Sequence, residues 1–556
     1  MSLTKVSYSI INGAPVSVLD YGAVGDGIAD DTAAVNAALA ASSEVFFPAG
    51  AYLVTTLTVN SGNRLFGDSY SAVIKSSTSD AITLISKTNI VFENLTFDGI
   101  NASATSFFAI SNNCERVTIR ENRFINNSTA IYGSCSIANR ARNIVIENNE
   151  FFDNKTGIDW YVGENLLVVG NTIKYGPSRP MERGFSFHGV RNSTVGNNLI
   201  FGDNVNTITG IIFLYSSSTD AYFGSCFNNI VGNQVYGITE EAISFDQSNG
   251  IYKYGGTATS GGNTSLTDSS ATWTTNQWAN YYVVIVAGTG AGQYRLISSN
   301  TGTVLTVPKR WGVNPDATSV YSITPAMVGN AIVGNTVSEC RRHGIVLYGP
   351  CLTNTISGNT VSNVGTDTAS TDPLHAIHVW GVHRGSTGAP ANDRQPCFQN
   401  VITGNAIHNT SQIDAPSGER PGIYLKVHGA GGTPDWQLYG NVVTNNTIGD
   451  RVDQGIYLER VTQTIVTGNT INARRGIKFA GLNETDNQII GNTAPNAASM
   501  YIIGATPNAA TTFGYRTVAT APSLTPFYIG EDVLDTVANK WYRAKGLTSA
   551  DWVALN

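Results

Sequence analysis

The sequence predicts an all-β protein whose main part is a parallel β-helix, a solenoid of stacked coils. A short segment of the form Gly/Ala-Ile-x-apolar-x recurs along the chain, as at residues 157–161. It alternates with a segment of the form apolar-x-Gly-Asn-x-apolar, as at residues 168–173. Both segments alternate apolar and polar positions, which is typical of strands, and no helical pattern separates them. A repeat about half as long as a propeller blade predicts coils that bury one another's apolar faces.

The first inward apolar residue of the Gly/Ala-Ile segment marks each coil. These residues are Ile131, Ile158, Phe185, Ile211, Ile243, Ile345, Ile377, Ile423, Ile456 and Ile477. Most lie 21 to 33 residues apart, which suits one coil, and the single gap of 102 residues predicts an inserted domain. The turns between them carry asparagine at positions 122, 149, 171, 197, 233, 335, 359, 405, 446, 469 and 492. Gly and Asn tolerate the left-handed backbone of a sharp corner, and we expect the asparagine amides to stack into a ladder.

The composition excludes several classes of protein. Charged residues make up 13% of the chain and the net charge is −7, with no run rich in Lys and Arg, so a nucleic acid partner is not expected. No stretch is long and apolar enough to insert into a membrane, and the first residues do not form a signal peptide. The six cysteines are scattered without a Cys-x-x-Cys pair, which favours buried thiols over disulfides or a metal site.

Five regions are predicted in chain order. Residues 1–54 form a lead and a cap, because Asp30 and Asp31 precede an Ala-rich helical segment suited to cover the open end of a solenoid. Residues 55–252 and 326–495 carry two runs of coils. Residues 253–325 show Gly-rich turns and alternating strands, which predict a small antiparallel β domain. Residues 496–556 predict a β-rich C-terminal region that caps the solenoid or forms the oligomer.

The start of the chain carries a family resemblance. The run Asp-Tyr-Gly-Ala-Val-Gly-Asp-Gly-x-x-Asp-Asp-Thr-x-Ala at residues 20–34 is followed by Phe-Pro-Ala-Gly-x-Tyr at residues 47–52. Together they resemble the beginning of the pectate-lyase-like right-handed β-helix superfamily, and more narrowly bacteriophage tailspikes and capsule depolymerases. The resemblance extends over residues 16–495. It does not specify the reaction, because hydrolases, lyases and epimerases share this motif.

The resemblance implies a place and a set of partners. It implies a homotrimer in the virion tail that acts extracellularly on the host cell surface. It also implies attachment to a phage tail, baseplate or adaptor protein. The substrate would be a bacterial surface polysaccharide, either a capsule, an exopolysaccharide or an O-antigen. No cofactor is expected.

Outward positions of the coils give the candidate binding residues. Alternate residues of a solenoid strand face out, and equivalent positions stack in columns. The columns and the bends beside them collect aromatic, acidic and basic side chains, at Asp159, Tyr161, Glu182, His188, Tyr348, His378, Trp380, Tyr424, Lys426, Tyr457 and Glu459. Aromatic faces stack on sugar rings and carboxylates bind hydroxyl groups, so the columns suggest a polysaccharide groove. A solvated or subunit-packing face is the alternative, and Lys426 with Glu459 also fits a plain salt bridge.

Acidic residues are densest at residues 239–246. Asp246 faces outward there, and Glu240 and Glu241 lie at the bend before the same strand. Glycoside hydrolysis generally uses two carboxyl groups, one as acid and one as base or nucleophile. These three residues are therefore the candidate catalytic residues of an endo-glycoside hydrolase.

Two other functions stay open at this point. A polysaccharide lyase on the same fold needs a base for proton abstraction, for which Lys426, His188 and His378 are candidates. A non-catalytic receptor-binding adhesin would use the same groove and release no fragments. No metal site is predicted, because no two histidines show His-x-x-x-His or His-Glu-x-x-His spacing.

Overall fold

The computed structural model describes most of the chain between residues 14 and 555. The described residues are 14–100, 106–178, 180–214, 224–246, 254–367, 374–383, 394–410, 420–428, 438–449, 452–479, 486–495, 501–503, 512–513, 516–518, 522–523, 526, 532–535, 538, 540–546 and 548–555. They fall into two units, Met1–Ser244 with Asn330–Arg341 and Phe245–Gly329 with Arg342–Asn556. The boundary lies within the strand Glu241–Phe245.

Each full coil of the first unit contributes three strands, exemplified by Thr156–Glu164, Leu167–Val169 and Thr172–Lys174. The Gly-Asn segment was expected to form one strand, and that prediction is wrong. The segment is cut in two at Gly170, whose φ of +67° turns the chain through a corner. Equivalent strands of successive coils pair in parallel, with Ile158 in register with Phe185 of the next coil. This pairing confirms the predicted parallel β-helix.

The strands of the first unit form two sets of parallel ladders. The first set comprises Val16–Ser17, Glu44–Phe47, Arg64–Gly67, Ile82–Ile85, Thr88–Glu93, Phe108–Ser111, Glu115–Arg120, Thr129–Ser134, Ala141–Arg142, Val145–Glu147, Thr156–Glu164, Leu167–Val169, Arg183–Arg191, Thr194–Gly196, Thr209–Leu214, Asn229–Val231 and Ala331–Val333. The second set comprises Asp26–Asp30, Gly50–Leu53, Ala72–Lys75, Thr96–Asp98, Arg123–Ile125, Glu150–Phe152, Thr172–Lys174, Leu199–Phe201, Gln234–Tyr236 and Thr336–Cys340. The predicted cap helix is Thr32–Ala41, after a 3-10 turn at Val18–Tyr21.

The second unit repeats this construction. Its main ladders comprise His343–Tyr348, Thr355–Ser357, Ile377–His383, Arg394–Gln395, Val401–Thr403, Pro421–His428, Val442–Thr444, Gln454–Leu458, Ile465–Thr467, Arg475–Phe479, Gln488–Ile490, Tyr501–Ile503 and Thr512–Phe513. Two further parallel ladders comprise Thr360–Val364, Ala406–His408, Thr447–Ile448 and Thr470–Ile471, and Met327–Val328, Cys351–Leu352, Cys397–Phe398 and Leu438–Tyr439.

The insertion and the C-terminal region form separate small sheets. The inserted domain consists of two antiparallel sheets, Tyr254–Thr257, Tyr282–Ala287, Tyr294–Leu296 and Val320–Thr324, and Ser260–Gly262, Ser265–Thr267, Ser299–Asn300 and Val304–Thr306. A mixed C-terminal sheet contains Arg516–Val518, Asp532–Asp535, Lys540–Ala544 and Trp552–Ala554. Both agree with the predicted fold class, whereas the boundaries of the five regions stay predictions.

Asparagine side chains at one corner stack into the expected ladder. The Asn149 amide donates to Asn171 Oδ1 at 2.9 Å, and the Asn171 amide donates to Asn198 Oδ1 at 3.0 Å. The assignment of Asn197 to this ladder is wrong. Asn197 instead takes the left-handed corner position, with φ of +52°, and its neighbour Asn198 supplies the amide. These buried amides pair with one another and with main-chain carbonyls, so the interior corner leaves them hydrogen-bonded.

The core is apolar, as the repeat predicted. All ten inward residues that mark the coils are buried, with Ile158 and Ile456 fully so. All six cysteines are buried and none forms a disulfide, which agrees with the prediction of buried thiols. Among the described residues, no helix is long and apolar enough to cross a membrane.

Candidate functional site

Outward side chains of the second unit stack in columns across successive rungs. His378 is in register with Tyr424, and Tyr424 is in register with Tyr457. In the neighbouring column, Tyr348 is in register with Trp380. The alternation of a strand fixes this arrangement, because inward residues such as Ile377 and Val379 flank each outward one. We call these outward residues, together with Lys426 and Glu459, the aromatic strip.

The rings of the strip stack on one another. His378 and Tyr424 have ring centroids 5.2 Å apart and planes 10° apart, and Tyr424 and Tyr457 are separated by 4.6 Å and 20°. Trp380 lies 4.8 Å from His378 and 4.5 Å from Tyr348. Tyr424 is only 2% exposed. Because these rings stack on one another, they do not offer the open ring faces that the sequence suggested.

Charged groups lie among these rings. The Tyr424 hydroxyl donates to Glu459 Oε2 at 3.0 Å, and Lys426 Nζ lies 3.9 Å from the same oxygen. Lys478 Nζ lies 4.6 Å from the centre of the Tyr457 ring, a cation–π distance. The expected salt bridge between Lys426 and Glu459 thus forms, but 3.9 Å is near the longest separation of an ion pair. The Tyr424 hydroxyl lies closer to the Glu459 carboxylate than the lysine does.

Two buried histidines, which the sequence did not indicate as site residues, lie beside the strip. His343 begins one strand and His375 lies just before the next, each two residues before the inward isoleucine of its own coil. Their Nδ1 atoms are 3.2 Å apart, and the His375 ring lies 4.2 Å from that of His378. Burial lowers the pKa of His343 to about 4 and that of His375 well below its ordinary value. The position two residues before each inward isoleucine forms a third column, and comparison of that position between coils would have identified both histidines.

The first unit brings Asp159 and His188 together on adjacent rungs. His188 Nε2 lies 3.2 Å from Asp159 Oδ1 and 2.9 Å from Ser186 Oγ, while the Tyr161 ring stacks on the imidazole at 3.9 Å. The serine and the aspartate contact the same imidazole nitrogen. A catalytic triad uses opposite nitrogens for these two partners, so this group is not arranged as one. It suits polar binding of a ligand instead.

The remaining predicted residues occupy the bends of the coils. Glu182 lies before the strand Arg183–Arg191, and its carboxylate pairs with Lys155 Nζ at 2.9 Å. Glu240 is held by a main-chain hydrogen bond from its N–H to the carbonyl of Ile208. Glu241 is the first residue of its strand and Asp246 follows the last, and both side chains are partly exposed. Their catalytic role stays a prediction.

The inserted domain, itself part of the second unit, packs against a corner of the coils of that unit. The hydroxyls of Tyr294 and Thr353 lie 3.0 Å apart, and Gln399 Nε2 donates to the carbonyl of Gly292 at 3.2 Å. A cavity of about 330 Å³ opens there. It is lined by Ala291, Gly292, Gln293, Tyr294, Arg295, Gln399, Tyr439 and Gln463. The lining offers hydrogen-bonding groups but no carboxylate, so it suits binding rather than acid–base chemistry.

The ladders and columns define the class of this protein, a right-handed parallel β-helix. A family model described as right handed beta helix region matches residues 326–512. More particularly, residues 15–239 match the model described as rhamnogalacturonase A/epimerase, pectate lyase-like. The predicted resemblance to pectate-lyase-like proteins is therefore confirmed over residues 15–239.

Solved structures share the fold at low sequence identity. The N-terminal fragment of bacteriophage Phi29 gene product 12 is 16% identical, covers 90% of this chain and 75% of its own, and has a TM-score of 0.55. A tailspike protein mutant of E. coli bacteriophage HK620, in complex with a hexasaccharide, is 11% identical, covers 89% of this chain and 80% of its own, and has a TM-score of 0.50. At these identities the likeness concerns the fold alone.

One curated protein matches a short part of the chain. The non-secreted LysM effector LysM19 of Penicillium expansum is 39% identical over 72 residues, or 12% of this chain. The chain spans 6% of that relative's length. This match therefore carries nothing about the activity of the whole protein.

Proposed function

We propose that this protein is a phage tailspike that binds a bacterial surface polysaccharide and cleaves it by endo-glycosidic hydrolysis. The observation that carries the proposal is the aromatic strip, which presents hydroxyl, carboxylate and ammonium groups on consecutive rungs. Rungs of a β-helix lie about 4.8 Å apart, a distance comparable to one sugar residue of a chain. A polysaccharide lying along the coils would therefore meet a polar group at each sugar.

The comparisons support the same class of ligand. The HK620 tailspike structure contains a hexasaccharide, and the matched family model is named for a rhamnogalacturonase and an epimerase. Both names refer to proteins that act on or bind carbohydrate. The proposed homotrimer, the attachment to a tail or adaptor protein and the virion location follow from the tailspike resemblance.

Hydrolysis is the reaction that we assign to the acidic bend. Asp246 and Glu241 are proposed as the catalytic carboxyl groups, with Glu240 as an alternative to Glu241. One carboxylic acid gives its proton to the glycosidic oxygen as the bond to the anomeric carbon breaks. The other, as carboxylate, takes a proton from the attacking water, or it attacks the anomeric carbon itself and forms a glycosyl ester. Water then hydrolyses that ester, with the first carboxyl group acting as base. In this proposal the strip residues bind the polysaccharide chain.

A digest of capsular polysaccharides from a panel of host strains tests this proposal. The products are read by mass spectrometry after incubation with the purified full-length protein. Fragments at the mass of the repeat unit plus one water are expected. Fragments without the added water and with an unsaturated end would overturn hydrolysis in favour of a lyase, for which Lys426, His188 and His378 are the candidate bases. No fragments from any strain that binds the protein would identify a non-catalytic adhesin.

A further inference from the structure

Three buried imidazoles of the second unit converge on one point. We infer that His343, His375 and His378 form a binding site for a transition-metal dication of the Zn²⁺ type. One nitrogen from each histidine can be chosen so that all three lie within 4.8 Å of one another. This site goes beyond the proposed polysaccharide chemistry and does not depend on it.

The closest pair already has the spacing of metal ligands. His343 Nδ1 and His375 Nδ1 are 3.2 Å apart. Two nitrogen ligands at 2.0–2.1 Å from a tetrahedral zinc ion are separated by about 3.3 Å. Three ligand nitrogens within 4.8 Å of one another need to approach by at most about 1.5 Å to reach this separation.

The fold holds two of the ligands rigidly. His343 and His375 occupy equivalent positions on adjacent rungs, and the N–H of Gly344 donates to the carbonyl of His375 at 3.1 Å. The next residue continues the ladder, with the N–H of Ile345 bound to the carbonyl of Ala376 at 2.8 Å. These two consecutive ladder hydrogen bonds fix the separation of the main chains that carry the two imidazoles.

The polarity of the site favours an ion over a plain histidine stack. His375 is 2% exposed, and its Nε2 atom has no hydrogen-bond partner. A buried polar atom without a partner is costly, and coordination of an ion at Nε2 of His375, in place of Nδ1, would remove that cost.

The ligand set selects the kind of ion. All three donors are imidazoles, and among the described residues no Asp or Glu belongs to the group. Imidazole suits Zn²⁺, Cu²⁺, Ni²⁺ and Co²⁺, whereas Ca²⁺ and Mg²⁺ prefer oxygen ligands. Three protein ligands also leave a fourth tetrahedral position for water or a substrate oxygen, as in catalytic rather than structural zinc sites.

Metal titration of the full chain tests the inference. The protein is prepared without a polyhistidine tag, stripped with chelator, and titrated with Zn²⁺ and Ca²⁺ by calorimetry. One Zn²⁺ per chain and no Ca²⁺ is expected. His375→Ala should weaken Zn²⁺ binding by more than about 100-fold. Loss of a residue that only hydrogen-bonds to a metal ligand typically lowers metal affinity 10–100-fold, and this variant loses a ligand itself. The matched control is His408→Ala, an exposed histidine on another sheet, which should bind Zn²⁺ as the unaltered protein does.

A spectroscopic measurement keeps the inference testable if His375→Ala does not fold. Cu²⁺ bound to the unaltered protein should show electron paramagnetic resonance coupling to three nitrogen nuclei. Coupling to fewer than three would overturn the site. So would a stripped protein that takes up no Zn²⁺, or a folded His375→Ala variant that binds Zn²⁺ undiminished. None of these results depends on whether the polysaccharide is cleaved.

Discussion

The Tyr424 hydroxyl donates to Glu459 Oε2 at 3.0 Å, which ties two consecutive rungs of the aromatic strip together at their outer edge. We predict that this pair acts as a unit in polysaccharide binding. Tyr424→Phe and Glu459→Gln should each weaken binding about tenfold or more, because a hydrogen bond to a charged group is worth roughly 1.5–3 kcal/mol. The double variant should lose less than the sum of the two single losses.

Surface plasmon resonance with purified oligosaccharide measures this coupling. Tyr70→Phe is the control, since Tyr70 is 43% exposed and belongs to the first unit. Full additivity of the two single losses would show that the tyrosine and the carboxylate contribute independently.

The proposed catalytic carboxylate gives a sharper prediction. Asp246→Asn keeps the size of the side chain but removes its ionisable proton, so kcat should fall by at least about 100-fold, the usual worth of general acid–base catalysis. The dissociation constant for the polysaccharide should stay within about twofold. Asp68→Asn, which changes an exposed aspartate at a turn, should keep full activity. A folded Asp246→Asn protein with full turnover would remove Asp246 from the mechanism.

Glu93 of the first unit is buried and pairs with two partly exposed arginines, Arg64 and Arg120, which predicts acid sensitivity. Burial acts to raise the pKa of Glu93, but hydrogen bonds from Arg64 and Arg120 outweigh it and hold the pKa below the ordinary value. The folded state therefore binds its proton less readily than the unfolded chain. The stabilisation is complete above the unfolded pKa, about 4.3, and is lost as the pH falls through the folded value. Melting temperatures measured from pH 7 to pH 2 should show this loss.

Glu93→Gln checks the assignment. It should lower the melting temperature at pH 7, at a cost of about 1–3 kcal/mol, and flatten the acid limb of the profile. Glu115→Gln, which alters an exposed ion pair with Arg116 on the same set of ladders, should change the free energy of unfolding by less than about 1 kcal/mol. An acid limb unchanged in Glu93→Gln would contradict the prediction.

Gly133 lies in register with Trp160 on the neighbouring rung and makes room for its indole. A Cβ at Gly133 would lie 2.3 Å from Trp160 Cδ2, inside a fully buried part of the core. Gly133→Ala should therefore destabilise the protein by about 1–3 kcal/mol. Adding Trp160→Leu should recover part of that loss, because the two positions share one volume.

Chemical denaturation of the single and double variants measures this exchange. Gly302→Ala is the control and should be nearly neutral, because its Cβ would lie 3.7 Å from the Trp273 carbonyl oxygen, an ordinary van der Waals distance. Strictly additive costs for Gly133 and Trp160 would show that the indole does not fill the space above the glycine.

The sequence by itself determined the solenoid, because its evidence is local and repeated. Alternation along each strand decided which residues face inward, and Ile158 and Ile456 are buried as expected. The same alternation put His378 in register with Tyr424, since coils of similar pattern stack at one register. The left-handed corner was also readable from the Gly-Asn pattern, although one such corner was assigned to the wrong asparagine of the pair Asn197 and Asn198.

Only the tertiary structure decided which side chains touch. His343 and His375 are separated by a full coil in sequence, and stacking of the coils alone brings their Nδ1 atoms to 3.2 Å. Stacking of the coils also turned the ring faces of Tyr424 and Tyr457 toward each other. Spacing rules for metal sites or sugar platforms describe residues near one another in the chain. In a solenoid the contacting residues come from adjacent rungs. Their separation in sequence varies with the length of the loop inserted in each coil, so no fixed spacing identifies them.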